Sequence, residues 1–182
     1  FMSWVVAASI FSMILSPTSA GLVNDVLMKL HLITDNIYFL GDQKWWRFSY
    51  YIINVWKDTG WGTIIFMATL AGISPELYEA ASMDGANRFQ KMIYITLPAL
   101  NNTIVTVLVL NLAKVMNLFE SVFVLQNDAV IKVSDVLQTY IYTQTFNSGA
   151  IPDYGYTTAV GMFSSIISCI LVLVCNRVSH KT

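Results

Sequence analysis

The chain has 182 residues, of which 55% are hydrophobic and only 12% charged, with a mean hydropathy of +0.59 and a formal net charge of −1. That balance excludes an ordinary soluble domain, and with no basic stripe it excludes a nucleic-acid partner. Cys169 and Cys175 both lie in the last apolar run, too few and too close for a disulfide framework or a metal site.

The first apolar stretch, Phe1 to Leu15, covers about 22 Å of a hydrocarbon core about 30 Å thick. No initiator methionine or basic region precedes it, so it does not read as a signal peptide, and the expectation is the C-terminal portion of a longer membrane protein. Ser16-Pro17-Thr18-Ser19-Ala20-Gly21 predicts a break. Leu22, Val23, Val26, Leu27, Leu30 and Ile33 then recur at helical spacing, as in an amphipathic helix lying on a membrane surface. A second break falls near Asp35, Asn36, Gly41 and Asp42. Trp45, Trp46, Phe48, Tyr50 and Tyr51, with Lys44 and Arg47 among them, have the composition of an interfacial aromatic belt. A membrane helix is predicted from Trp46 to Ile73, interrupted at Gly60-Trp61-Gly62. Its Lys57 and Asp58 either pair or sit at the boundary, or they face a solute path.

A polar island follows. Ser74 supplies a cap oxygen, Pro75 suits the first helical position, and Glu76 is an acid where the helix dipole favours one. The predicted helix of about ten residues ends at Gly85, placed where a left-handed cap is needed. From Ala86 a second amphipathic turn runs through Phe89, Met92, Ile93 and Tyr94 to Pro98. The pattern is Glu79-Ala80-Ala81, then Asp84-Gly85-Ala86 and Phe89, then Ile95-x-Leu97-Pro98. It resembles the EAA loop of permease subunits in binding-protein-dependent ABC importers, and Asp-Gly-Ala with Phe89 resembles their carbohydrate branch. Similarity extends over essentially the whole chain, and Gly60-Trp61-Gly62-Thr63-Ile64-Ile65 with Leu77-Tyr78 looks closest to the oligosaccharide permeases of the aldouronate and polysaccharide-uptake type.

The exit helix is predicted from Ala99 to about Ser121. Thr103, Thr106, Lys114, Asn117 and Ser121 fall within an arc of roughly 80° at 100° per residue, a polar stripe that should face the bundle interior or a solute path. Equally, the hydroxyls can bond their own backbone and Asn117 can join helices. Phe119-Glu120-Ser121-Val122-Phe123 reads as a helix end opening into a loop. On that stripe Lys114 and Asn117 are the candidate path-lining residues. Carbohydrate permeases resembling this chain carry a Phe-acid-x-x-aromatic segment here near the sugar path, which implies Phe119, Glu120 and Phe123 as path residues; ordinary packing is the alternative. Val133 to Phe146 reads as an amphipathic helix outside the membrane core, ending at Asn147-Ser148-Gly149, and the resemblance implies a binding-protein contact at Thr145 to Tyr156. Tyr156 to Asn176 is the cleanest span, uncharged, with Gly161, Ser164, Ser165 and Ser168 as a small-residue face.

No Walker A loop, nucleophile elbow or zinc-protease helix occurs, and His31 and His180 stand alone, so no catalytic residue, metal or cofactor is expected. Basic residues tie across the two sides: Arg88, Lys91, Arg177 and Lys181 against Lys29, Lys44, Arg47 and Lys132. Orientation therefore comes from the resemblance. The whole reading is an all-α, multi-pass permease domain over 1–182 in a bacterial inner membrane, with about four membrane segments and a cytoplasmic coupling loop at 74–98. The resemblance implies Glu79, Ala80, Ala81, Asp84, Gly85, Ala86, Phe89, Leu97 and Pro98 as the ATPase-coupling residues. Its implied partners are a second permease subunit forming a heterodimer, a cytoplasmic ATPase dimer, an extracytoplasmic solute-binding protein, membrane lipid and an oligosaccharide. A secondary transporter or channel without an ATPase, or a scaffold subunit, is the competing class.

Overall fold

A computed structural model describes residues 2–18, 20–147 and 153–179. The described residues are helical, with no strand among them. In chain order the helices are α1 (Trp4–Ile14), α2 (Leu22–Lys29), α3 (Gln43–Ala71), α4 (Pro75–Met83), α5 (Arg88–Lys91), a π-helical turn (Met92–Thr96), α6 (Leu97–Val115), α7 (Glu120–Leu125), α8 (Ile131–Ser134), α9 (Leu137–Phe146) and α10 (Tyr154–Ser179). Among the described residues two stretches are long and apolar enough to cross a membrane, Arg88–Val115 and Tyr154–Arg177. The chain divides into two compact units, Phe1–Asp58 with Val115–Ile167, and Thr59–Lys114 with Ser168–Thr182.

The first unit is built on the opening turns of α3. Trp46, Ser49, Tyr50 and Ile53 recur at i, i+3, i+4 and i+7, so they share one face, and all four are buried. Trp46, Tyr50 and Ile53 pack with Ala8, Leu40, Val122, Leu125 and Val130. The Trp46 and Tyr50 rings stack at 5.0 Å with 9° between their planes. Their polar tips are satisfied internally: Trp46 Nε1 donates to the Leu125 carbonyl at 3.1 Å, and the Tyr50 hydroxyl lies 2.8 Å from Ser121 Oγ. The expected aromatic belt is therefore split. Trp46 and Tyr50 are core, because a buried ring with a polar handle needs a fixed partner, while Phe48 and Tyr51 stay exposed.

Asn24 fastens α2 in the same way. Its carboxamide donates to the Ser16 and Ile37 carbonyls and accepts from the Ile37 amide. The helix thus buries an amide and leaves Leu22, Val26 and Leu30 exposed. It ends at Lys29, earlier than the apolar spacing suggests, in a paired C-terminal turn. His31 N donates to Met28 O and Leu32 N to Leu27 O, with His31 at φ 55°. Gly21 is needed ahead of it, since a Cβ there would stand 2.1 Å from the Ser16 carbonyl oxygen.

Several sequence expectations shift. Helix α3 runs unbroken through Gly60-Trp61-Gly62. Each glycine costs about 1 kcal/mol against alanine, which a 29-residue hydrogen-bonded helix tolerates. Lys57 does not pair with its neighbour Asp58; its ammonium lies 4.5 Å from the centre of the Trp4 ring, a cation–π contact. The exit helix starts at Arg88 and ends at Val115, so the stripe drawn to Ser121 does not lie on one helix. The stretch after it, expected as a loop, includes helix α7. Val133 to Phe146 divides into α8 and α9, because the Val136 amide donates to Thr139 Oγ1, whose hydroxyl donates to the Asp135 carboxylate. These side-chain bonds offer the backbone an alternative to helix. Residues 148–152, five of the twelve in the expected binding-protein contact and including Ser148 and Gly149, lie outside the described residues, as do His180 and Lys181.

The Tyr50–Ser121 contact gives a testable consequence for unfolding of the full-length protein in detergent. Tyr50→Phe should destabilise by about 1–3 kcal/mol, since it strands a buried Ser121 hydroxyl. Adding Ser121→Ala should recover part of that loss; strict additivity would contradict the contact.

Candidate functional site

The polar island of the second unit folds as two short helical pieces joined by a tight left-handed turn. Pro75 occupies the first turn of α4, as its fixed φ and missing N–H allow. Ser74 has the extended backbone of a cap but makes no side-chain cap bond, contrary to the sequence expectation. The other end is fully specified. Gly85 has φ +78°, its amide donates to Ser82 O at 3.1 Å, and the Ala86 amide donates to Ala81 O at 2.9 Å. This pairing satisfies carbonyls that the end of α4 would otherwise leave open. Nothing stands within 4 Å of a Cβ built on Gly85, so glycine is favoured here by backbone conformation and not by space.

Past the turn, Asn87 and Gln90 form a reciprocal capping box, at 2.9 and 2.8 Å, that starts the next helix. That N-terminus was not anticipated, although Asn followed three residues later by Gln is its signal. Pro98 has no N–H to donate and would clash with a carbonyl one turn back. The π-helical turn Met92–Thr96 lies immediately ahead of it, closed by the Leu97 amide donating to Met92 O, and the helix continues through the proline to Val115. Two side-chain bonds tie the pieces together. The Tyr78 and Thr96 hydroxyls are 2.9 Å apart, and Lys91 Nζ donates to Ser82 Oγ.

Tyr78 and Ser82 thus occupy the inner face of α4, with Ala81 half-buried between them in sequence. The outer face carries Glu76, Leu77, Glu79, Ala80 and Met83, all exposed. Glu79 makes no hydrogen bond or ion pair among the described residues, and Met83 is 89% exposed. Asp84, Phe89, Leu97 and Pro98 are exposed as well, while Ala86 is half-buried. The result is a bent, cross-braced surface presenting small, acidic and apolar side chains together. Higher in this unit, Thr103 Oγ1 lies 2.9 Å from Thr69 Oγ1, Thr106 donates to its own helix at Asn102 O, and Lys114 is exposed on α6.

The remaining sequence-predicted residues fall in the first unit. Where α6 ends, Gln138 of α9 donates through Nε2 to Met116 O at 3.2 Å and to Asn117 Oδ1 at 3.1 Å. It takes a carbonyl that the helix end leaves open and fixes the Asn117 side chain. Phe119 and Phe123, one turn apart, stack at 5.0 Å. Tyr142 lies 5.4 Å from Phe119 and 4.9 Å from Phe123, with Phe146 a further turn along α9 at 5.2 Å from it. Glu120 is exposed beside them in sequence, and Ser121 turns into the core. Asn117, Phe119 and Phe123 are therefore gathered with three residues that the sequence did not place on the path, Gln138, Tyr142 and Phe146. Their only prior signal was recurrence every four residues along α9. No group of three or more potential metal ligands occurs among the described residues.

Comparison with known proteins gives consistent matches. The family described as "Binding-protein-dependent transport system inner membrane component" matches residues 1–181. Protein LplB of Bacillus subtilis strain 168 is 40% identical over 182 residues, which is 100% of this chain and 55% of that protein. From the same organism, the polygalacturonan/rhamnogalacturonan transport system permease protein YteP is 38% identical, again over 100% of this chain and 55% of that protein. The arabinooligosaccharides transport system permease protein AraP is 32% identical over 98% of this chain and 55% of that protein. A crystal structure of a bacterial ABC transporter involved in the import of the acidic polysaccharide alginate superposes with a TM-score of 0.89 at 35% identity, covering 100% of this chain and 62% of that one. The chain spans about half the length of the curated relatives it matches. With the family matched across residues 1–181, the chain belongs to the binding-protein-dependent transport system inner membrane components, a family of membrane permeases.

Proposed function

We propose that the chain is part of a multi-pass permease subunit of an ATP-driven importer and forms half of a translocation path for an oligosaccharide. The observation that carries this reading is the braced elbow from Pro75 to Pro98, whose outer face is exposed and whose inner face is spent on internal bonds. These 182 residues hold no phosphate-binding loop, and in this reading work comes from another subunit, for which a rigid helical knob is a suitable receiver. In this reading α4 seats in a cytoplasmic ATPase dimer, Ala80 and Ala81 allow close approach, and Glu79 supplies a polar contact. Closure of the ATPases moves the elbow and the base of α6 together, turning the membrane helices from one access state to the other. The partner permease, a solute-binding protein on the opposite side and surrounding lipid complete the assembly. Relatives named for polygalacturonan, rhamnogalacturonan and arabinooligosaccharide transport support an oligosaccharide as the solute.

The solute side of the reading rests on the rings and amides of the first unit. Phe119 and Phe123 offer apolar faces to sugar C–H surfaces, while Asn117 and Glu120 offer polar groups to hydroxyls.

Two experiments on the full-length protein in its assembled transporter test these roles. Gly85→Val places a β-branched residue at positive φ, at about 1–2 kcal/mol. It should reduce uptake and binding-protein-stimulated ATP hydrolysis by on the order of tenfold, whereas Gly85→Asn should retain most of both. Glu79→Lys should depress the same two rates, and unchanged rates in Glu79→Lys and Gly85→Val would refute coupling through this elbow. For the path, Phe123→Ala should raise the KM for oligosaccharide uptake by several-fold, the scale of one lost aromatic contact of about 1 kcal/mol, with little change in assembly.

A further inference from the structure

The tyrosines of this chain divide by how their hydroxyls are used. Tyr50 bonds Ser121, Tyr78 bonds Thr96, and Tyr140 and Tyr156 approach each other at 3.4 Å. Tyr38, Tyr51, Tyr94 and Tyr154 are exposed to their surroundings. Tyr142 is different. Its side chain is half-buried against the rings of Phe119 and Phe123, yet its hydroxyl makes no hydrogen bond among the described residues. The ring is held in place while the hydroxyl is spent on no group of the chain and stays reachable, so it is available to a partner from outside.

The surroundings define what that partner is. Gln138, one turn before Tyr142 on α9, spends its Nε2 on Met116 O and Asn117 Oδ1. The segment carrying Phe119 and Phe123 is thereby held against the face of α9 that carries Tyr142. Phe123 is 44% exposed and Phe146 70% exposed, so the ring ladder from Phe119 to Phe146 is open along its length. Apolar ring faces bordered by one unspent hydroxyl suit a ligand with C–H faces and hydroxyl edges, which is the surface of a pyranose or furanose chain.

We propose that Tyr142 is a specificity-determining contact of the sugar path, its ring extending the Phe119–Phe123 stack and its hydroxyl bonding a sugar hydroxyl. The assignment rests on the oligosaccharide-path reading above and adds to it a residue on a different helix. Tyr142 selects for the presence of a hydroxyl at the position it meets, because an analogue lacking that group would leave the tyrosine hydroxyl unpaired in the closed site.

The test uses the full-length permease reconstituted in proteoliposomes with its partner permease, ATPase and binding protein. Arabino-oligosaccharides, galacturonan oligosaccharides and alginate pentasaccharide are offered as probes, and the one taken up is carried into Tyr142→Phe and Phe123→Ala. Tyr142→Phe should raise the KM about three- to tenfold, the fold-change of one neutral hydrogen bond, with the maximal rate, assembly and melting temperature unchanged. An unchanged KM in Tyr142→Phe beside a raised KM in Phe123→Ala would overturn the Tyr142 contact and leave the path reading intact. A lowered melting temperature without a KM change would make Tyr142 a packing residue and likewise overturn it. Unchanged KM in both variants, or uptake of none of the three probes, would remove the path reading together with the contact.

Discussion

The left-handed turn at Gly85 is the constraint on which the second unit depends. A helix end leaves carbonyls without partners, and here two of them are closed by the amides of Gly85 and Ala86 only because the backbone reaches φ +78°. Everything downstream takes its direction from that reversal. The Asn87–Gln90 box can start a helix at once, Lys91 can reach back to Ser82, and Tyr78 can meet Thr96. The π-helical turn then carries the helix past Pro98 without a break. A β-branched side chain at position 85 would strain the turn and, with it, every brace between α4 and the base of α6.

The first unit depends on a different economy of polar atoms. Trp46, Tyr50, Asn24 and Ser49 are buried, and each directs its polar group to a fixed partner within the unit. Burial of such groups is tolerable only when they are bonded, and once bonded they specify one arrangement. The consequence is that α7 is pinned to α3 by Trp46–Leu125 and Tyr50–Ser121. Phe119 and Phe123, on the same segment, are then presented to α9 by structure that is itself rigidly held. With this support the geometry of the ring ladder is fixed in advance, as the proposed sugar contact requires.

What could be read from sequence was set by the range of the interactions. The α4 helix, its proline start and its glycine stop are local, encoded within ten or so residues, and they appear where the residues place them. The last span is likewise a matter of composition and is found at Tyr154–Arg177. The misplacements arise where a distant partner decides. Nothing near Trp46 in sequence says that Leu125 will accept its N–H, so the residue looks like a belt tryptophan. The end of α6 at Val115 is held by Gln138, and the division between α8 and α9 by Thr139 and Asp135; both are side-chain bonds that no helical periodicity reveals. Tyr142 was passed over for the same reason, since its meaning comes from rings some twenty positions earlier.

The most direct measurement concerns the outer face of α4. In the full-length protein with every native cysteine replaced, Cys169 and Cys175 among them, a single cysteine at Ala80 should cross-link to the cytoplasmic ATPase in the assembled complex when a short bifunctional thiol reagent is added. Formation of that product, with the yield changing between nucleotide-free and ATP-bound states, is the predicted result. Cross-linking to the solute-binding protein, or none to the ATPase in a complex that hydrolyses ATP and imports sugar, would contradict the placement of the elbow at the motor.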